Sequence, residues 1–169
     1  MKKNAGNMVS WGSVLVVFLG IYVGNPKLIM FSIIIAAFMD MFDGKLARKY
    51  GDNTKCSQTF GELTDSLCDV INFGIAPSLI LAMTIFEDNF TFLLLISSFL
   101  FTLGGIYRLA RFSAYKDQPK VKFYQGVPIT IAGPSLAIIS ILSLNEYVII
   151  ISALILSSLM VSKLKIKKI

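Results

Sequence analysis

The chain has 169 residues, of which 55% are hydrophobic and only 15% charged, and its formal net charge is +6. An ordinary soluble domain carries about 25% charged residues. The composition therefore excludes a soluble pair of domains and predicts one all-α, polytopic membrane domain spanning residues 1–169.

In chain order, apolar stretches recur at Val9–Val23, Leu28–Phe42, Leu67–Phe86, Phe90–Ile106, Val127–Leu144 and Tyr147–Val161. Six transmembrane helices follow, although several stretches fall short of the ~20 residues that a full span needs. The second and third would gain length by continuing helically into the cytoplasm. Met1-Lys2-Lys3 before the first stretch has the look of a signal peptide, but no small-residue cleavage site follows Val23, so a retained helix is expected. The turns Gly24-Asn25-Pro26, Glu87-Asp88-Asn89 and Asn145-Glu146 separate the spans on one side. With both termini cytoplasmic, every one of the 16 Lys and Arg residues except Lys27 falls inside, a strong positive-inside pattern. Topology and attraction to anionic lipid headgroups account for the net charge, and no nucleic-acid partner is implied. Cys56 and Cys68, with no histidine in the chain, indicate neither a disulfide nor a zinc site.

Against this background four aspartates stand out. Asp40 and Asp43 lie at the end of the second stretch, Asp65 and Asp69 at the start of the third. A carboxylate inside a span costs roughly 2.5–3.5 kcal/mol on insertion scales, so four ask for compensation. Asp40 and Asp43 are spaced i,i+3 and Asp65 and Asp69 i,i+4, which puts each pair on one face of its helix. Asp40, Asp43, Gly44 and Ala47 share a face, as do Gly61, Asp65 and Asp69. The residues without bulk let a ligand approach the backbone closely. Two such helices facing each other would gather four carboxylates. Hard oxygen donors suit Mg²⁺ or Mn²⁺, ions that stabilise charge in displacement at phosphorus. Lys45 and Arg48 add cations for phosphate. Asp43 lies about 9 Å along the helix from Lys49, where the polar loop begins, so the site is expected near the cytoplasmic face. The plain alternative, acids neutralising nearby Lys and Arg, suits one aspartate better than four at these spacings.

The pattern Asp40-x2-Asp43-Gly44-x2-Ala47-Arg48, followed by Gly61-x3-Asp65-x3-Asp69, resembles the motif of the CDP-alcohol phosphatidyltransferases, and the likeness extends over nearly the whole chain. One departure is visible: twelve residues separate Arg48 from Gly61, more than the family's usual spacing. The extra polar stretch, within residues 49–58, reads as a lengthened cytoplasmic loop. Three further segments are similar to the family's serine-using subgroup: Phe60-Gly61 through Phe73-Gly74 and Pro77, Arg108-Leu109-Ala110-Arg111-Phe112, and Gly126-Val127-Pro128. The resemblance implies transfer of a phosphatidyl group from CDP-diacylglycerol to L-serine, giving phosphatidylserine and CMP, by a homodimer in the cell membrane. It implies that Asp40, Asp43, Asp65 and Asp69 ligate metal, and that Asp43, Gly44, Ala47, Arg48, Gly61 and Asp65 contact the CDP moiety. It also makes Asp69 the general base for the serine hydroxyl.

Arg108 and Arg111, at i,i+3 near a helix end, would bind the serine carboxylate or a phosphate. The alternative for both is snorkelling to lipid phosphates. Rival readings keep the chemistry and change the acceptor, to glycerol 3-phosphate or an inositol phosphate, or change the donor to an archaeal-type lipid. From another class comes a divalent-cation transporter, since intramembrane acids mark ion paths.

Overall fold

The computed structural model describes residues 5–50, 54–84, 91–115, 123–142 and 145–167, and the side chains of 7–42, 54, 56–83, 92–115, 125–142 and 145–164. Helix α1 (Ala5–Val23) ends at Gly24, whose φ of 72° is open to glycine and whose N–H returns to the Ile21 carbonyl at 2.9 Å. Helix α2 (Pro26–Tyr50) starts at once. Pro26 takes the first helical position, and the Asn25 side chain accepts from the Lys27 N–H at 3.0 Å. Helix α3 (Lys55–Asp69) is capped by Thr54, whose hydroxyl accepts from the Ser57 N–H at 3.4 Å. It runs on through a π-helical segment (Val70–Ile75) into α4 (Ala76–Thr84). Helix α5 (Thr91–Tyr115), strand β1 (Phe123–Gln125), helix α6 (Ile129–Leu142), helix α7 (Glu146–Val161) and strand β2 (Lys165–Lys167) complete the order.

Six helical rods are thus present among the described residues, α3, the π segment and α4 forming one of them. Two stretches, Cys56–Met83 and Phe92–Tyr115, are long and apolar enough to cross a membrane by length and composition, and three shorter apolar helices accompany them. The outer faces carry Phe18, Leu19, Phe31, Phe38, Leu95, Phe99 and Ile155, all exposed. A water-soluble monomer does not present apolar surface on every helix; a bilayer accepts it.

One expectation changes in detail. Of the stretch 49–58, within which a lengthened loop is expected, both ends are helical, since α2 reaches Tyr50 and α3 begins at Lys55, while 51–53 lie outside the described residues. Beyond the last apolar stretch, Lys165–Lys167 forms a strand. β2 pairs antiparallel with β1, Gln125 opposite Lys165 and Phe123 opposite Lys167. The ladder is continued by a 3.0 Å bond from the Gly126 N–H to the Leu164 carbonyl.

The core lies where the π segment meets the other rods. Phe73, Ile80, Leu81, Phe101, Ile129 and Leu136 are fully buried there. Gly133, beside Pro134 in α6, lets α6 lie against the Phe73 backbone, since a Cβ at Gly133 would stand 2.5 Å from the Phe73 carbonyl oxygen. In the π segment the Gly74 carbonyl accepts from Ser78 Oγ at 2.9 Å and from Thr102 Oγ1 at 3.3 Å. Ser78 also bonds the Ser98 carbonyl at 3.3 Å. These pairs, 74 with 102 and 78 with 98, make the α3–α4 rod and α5 antiparallel.

Candidate active site

Three of the four aspartates converge. Asp40 from α2 and Asp65 and Asp69 from α3 each bring a carboxylate oxygen within 4.8 Å of the others; Asp40 and Asp65 are half-buried and Asp69 is only 8% exposed. Two helices supply the groups, as the i,i+4 spacing requires. Asp43 belongs to α2 by its backbone, but its side chain, with those of Gly44, Ala47 and Arg48, lies outside the described residues.

The donor set fits a divalent cation. Carboxylates this close repel one another and favour a positive charge between them. Three carboxylate oxygens within 4.8 Å of one another, from Asp40, Asp65 and Asp69, are the hard donors that a cation such as Mg²⁺ or Mn²⁺ would take.

One wall of the site was not legible from the acids. Helix α1 carries Asn7, Ser10 and Ser13 at i,i+3,i+6, a polar stripe on an otherwise apolar helix. The Asn7 Oδ1 lies 3.3 Å from where a Cβ on Gly61 would be. Further along, the Asn72 Nδ2 donates to Ser13 Oγ at 2.8 Å, and Ser13 Oγ donates to the Ser10 carbonyl at 2.7 Å. Contacts at 7 with 61 and at 13 with 72 carry α1 alongside the α3 segment that holds Asp65 and Asp69. The signal available in the sequence was that spacing of small polar residues within a hydrophobic run. The closeness of Gly61 to Asn7 gives Gly61 a packing reason beside the predicted nucleotide one.

The two arginines of α5 separate. Gly74 and Thr102 stand at one level. Asp69 is five residues, about 7.5 Å, toward the α3 N-terminus, and Arg108 is six residues, about 9 Å, toward the α5 C-terminus. In antiparallel rods that sets Arg108 at the height of Asp69. Arg108 is half-buried, its guanidinium 5.7 Å from the centre of the Phe112 ring. Arg111 is differently engaged. Its Nη1 donates to the Val161 carbonyl at 3.0 Å, and its Nη2 to the carbonyls of Ser162 at 2.9 Å, Gln125 at 3.1 Å and Met160 at 3.5 Å. It closes the C-terminal end of α7, where carbonyls lack helical partners and the helix dipole favours a cation. Gly126, with φ at 79°, passes against the same place; a side chain there would run into the Met160 carbonyl.

The CDP-alcohol phosphatidyltransferase family pattern matches residues 4–161. The chain belongs to this family. It is 34% identical over 128 residues to a CDP-diacylglycerol–serine O-phosphatidyltransferase of Bacillus subtilis, covering 76% of this chain and 68% of that protein. A protein of the same name from Methanocaldococcus jannaschii is 38% identical over 151 residues, 89% of this chain and 67% of its own. An archaetidylserine synthase of Methanothermobacter thermautotrophicus is 33% identical over 104 residues, 62% of this chain and 42% of its own.

Proposed function

We propose that this membrane phosphatidyltransferase moves the phosphatidyl group of CDP-diacylglycerol to L-serine, with CMP as the leaving product. The observation that carries the reading is the gathering of Asp40, Asp65 and Asp69 from two helices at the positions of the family's motif. Serine is favoured over other alcohols because relatives whose names differ in the lipid, phosphatidyl or archaetidyl, agree in serine. No observation favours cation transport.

Asp40, Asp65 and Asp69, together with Asp43, would hold the divalent cation, Mg²⁺ or Mn²⁺. Such an ion, when bound, offsets charge on the diphosphate and on the departing CMP. The chain's own groups do the rest. Gly44, Ala47, Arg48 and Gly61 bound the nucleotide, with Arg48 giving a charge-assisted contact to phosphate. Asp69 accepts the proton of the serine hydroxyl. The hydroxyl oxygen forms a bond to the phosphorus that bears diacylglycerol, and the bond from that phosphorus to the CMP oxygen breaks. Arg108, level with Asp69, receives the serine carboxylate.

The reading places six spans and both termini to the cytoplasm, with 1–169 acting as one domain in the cell membrane and the site near the cytoplasmic face, so that serine arrives from water and the lipid from the bilayer. A homodimer is part of the same proposal, by resemblance to the family. The decisive measurement is CMP release from CDP-diacylglycerol by the purified protein with serine, glycerol 3-phosphate and an inositol phosphate, with and without Mg²⁺ or Mn²⁺. Serine-dependent release that needs metal is expected; release with another alcohol and none with serine would replace the acceptor.

A further inference from the structure

The polar group at the site that the chemistry above leaves unused is Asn72. It follows Asp65 and Asp69 at i+7 and i+3, which keeps it on the acid-bearing side of the rod. It stands in the π-helical segment, a geometry that recurs at functional positions. It is 2% exposed. Its amide is held in one orientation, because Nδ2 donates to Ser13 Oγ, and that hydroxyl is itself fixed on the Ser10 carbonyl. The other end, Oδ1, is buried and has no hydrogen-bond partner among the described residues. A buried amide oxygen left in this way is costly. An apolar side chain of similar size would avoid the cost and still fill the core. The feature makes sense if a ligand supplies the donor.

Resting on the serine reading, we infer that Asn72 is a specificity-determining residue whose Oδ1 accepts a hydrogen bond from the ammonium group of the acceptor. The nucleotide is assigned to the Gly61 end of α3, about 16 Å along the helix from Asn72, so the group that meets Asn72 belongs to the small acceptor. Within that acceptor the donors are the hydroxyl and the ammonium. Asp69 takes the hydroxyl, and Asn72 lies about 4.5 Å further along the helix. That step suits two donors on adjacent carbons. Arg108, at the height of Asp69 on the antiparallel rod, supplies a third point for the carboxylate. Three such points distinguish serine from alcohols lacking the amine.

The test compares L-serine with 3-hydroxypropionate, which keeps the hydroxyl and carboxylate and lacks the amine. CMP release is measured with each acceptor for the wild-type protein, Asn72→Leu and Asn72→Asp, with the KM of CDP-diacylglycerol as a check on the rest of the site. Asn72→Leu is expected to raise the serine KM roughly 10-fold to 100-fold and to shrink the preference for serine by the same factor, with little change in donor KM. Asn72→Asp retains an acceptor oxygen and is expected to keep the preference. If Asn72→Leu does not accumulate, the pair Asn72→Ala with Ser13→Ala removes both partners of the tie and reads the same ratio. An unchanged serine KM, or equal losses with both acceptors, overturns the inference and leaves Asn72 a packing residue. A wild-type protein that uses another alcohol and not serine fails the functional reading instead, a different result from an Asn72 variant that keeps the wild-type preference.

Discussion

The corner made by α1, α2 and α3 and the corner made by α5, α7 and the β1–β2 ribbon both hold charge inside an apolar fold, for different reasons. At the second corner Arg111 answers a need created by the backbone. Helix α7 ends, its last carbonyls have no helical donor, and one guanidinium reaches three of them and the Gln125 carbonyl as well. At the first corner the helical rods run on. Asp40 lies ten residues before the end of α2, and Asp69, the last residue of α3, is followed directly by the π segment. Three carboxylates within 4.8 Å raise the energy of the fold by themselves. Charge that completes a helix end needs no ligand to explain it; charge that converges with its own kind along continuing rods is where we propose one.

The sharpest way to break this contrast is at the acids. Asp40→Asn and Asp65→Asn should each bring CMP release to background, and excess chelator should do the same to the wild-type protein. Full turnover in chelator would remove the metal from the mechanism and leave the cluster without a purpose. Asp69→Asn comes next, with kcat lower by roughly 10²–10⁴-fold and donor binding retained. Added metal should restore occupancy of the site but not wild-type turnover, because a lost base is not restored by occupancy. Recovery to wild-type turnover at high metal would leave Asp69 a ligand alone and end its assignment as base.

Arg108 sharpens the other side of the comparison. As a bidentate partner of a carboxylate, the role proposed for it, it would contribute about 1.5–3 kcal/mol. Arg108→Ala should therefore raise the serine KM by roughly one to two powers of ten and leave the donor KM near its wild-type value. A change in donor KM alone would move Arg108 from the acceptor to the diphosphate.

The helical architecture was readable because a run of apolar residues between polar turns has few other uses, and Gly24, Pro26 and Asn145 mark helix ends by their own chemistry. The convergence of Asp65 and Asp69 was readable because i,i+4 spacing fixes a helix face without reference to anything distant. What was not readable depends on contacts between segments far apart in the chain. The tie from Ser13 to Asn72 spans 59 positions, and the ladder joins Phe123 to Lys167; neither leaves a local pattern. The extent of the loop within 49–58 was read too broadly. Polar residues suggested it throughout, yet such residues are compatible with helix, and α2 and α3 extend into the stretch from either side. The backbone contacts of Arg111 were not legible, because a sequence does not show which carbonyls a later helix will leave open.

The smallest expected effect on catalysis belongs to Arg111. Its guanidinium is shared among α5, β1 and the end of α7, so its loss should loosen the joint between these elements. Removing a charged donor from partly buried carbonyls costs about 2–3 kcal/mol, and Arg111→Ala should lower the midpoint of thermal unfolding in detergent. Arg111→Lys should recover only part of this, since an ammonium cannot spread its donors over four carbonyls in the way a planar guanidinium does. The serine KM should stay near wild type in the protein that remains folded, because the contacts of Nη1 and Nη2 are to backbone. A serine KM raised as strongly as in Arg108→Ala, with unaltered thermal stability, would show that Arg111 leaves the carbonyls to bind substrate, and the contrast between the two corners would fail.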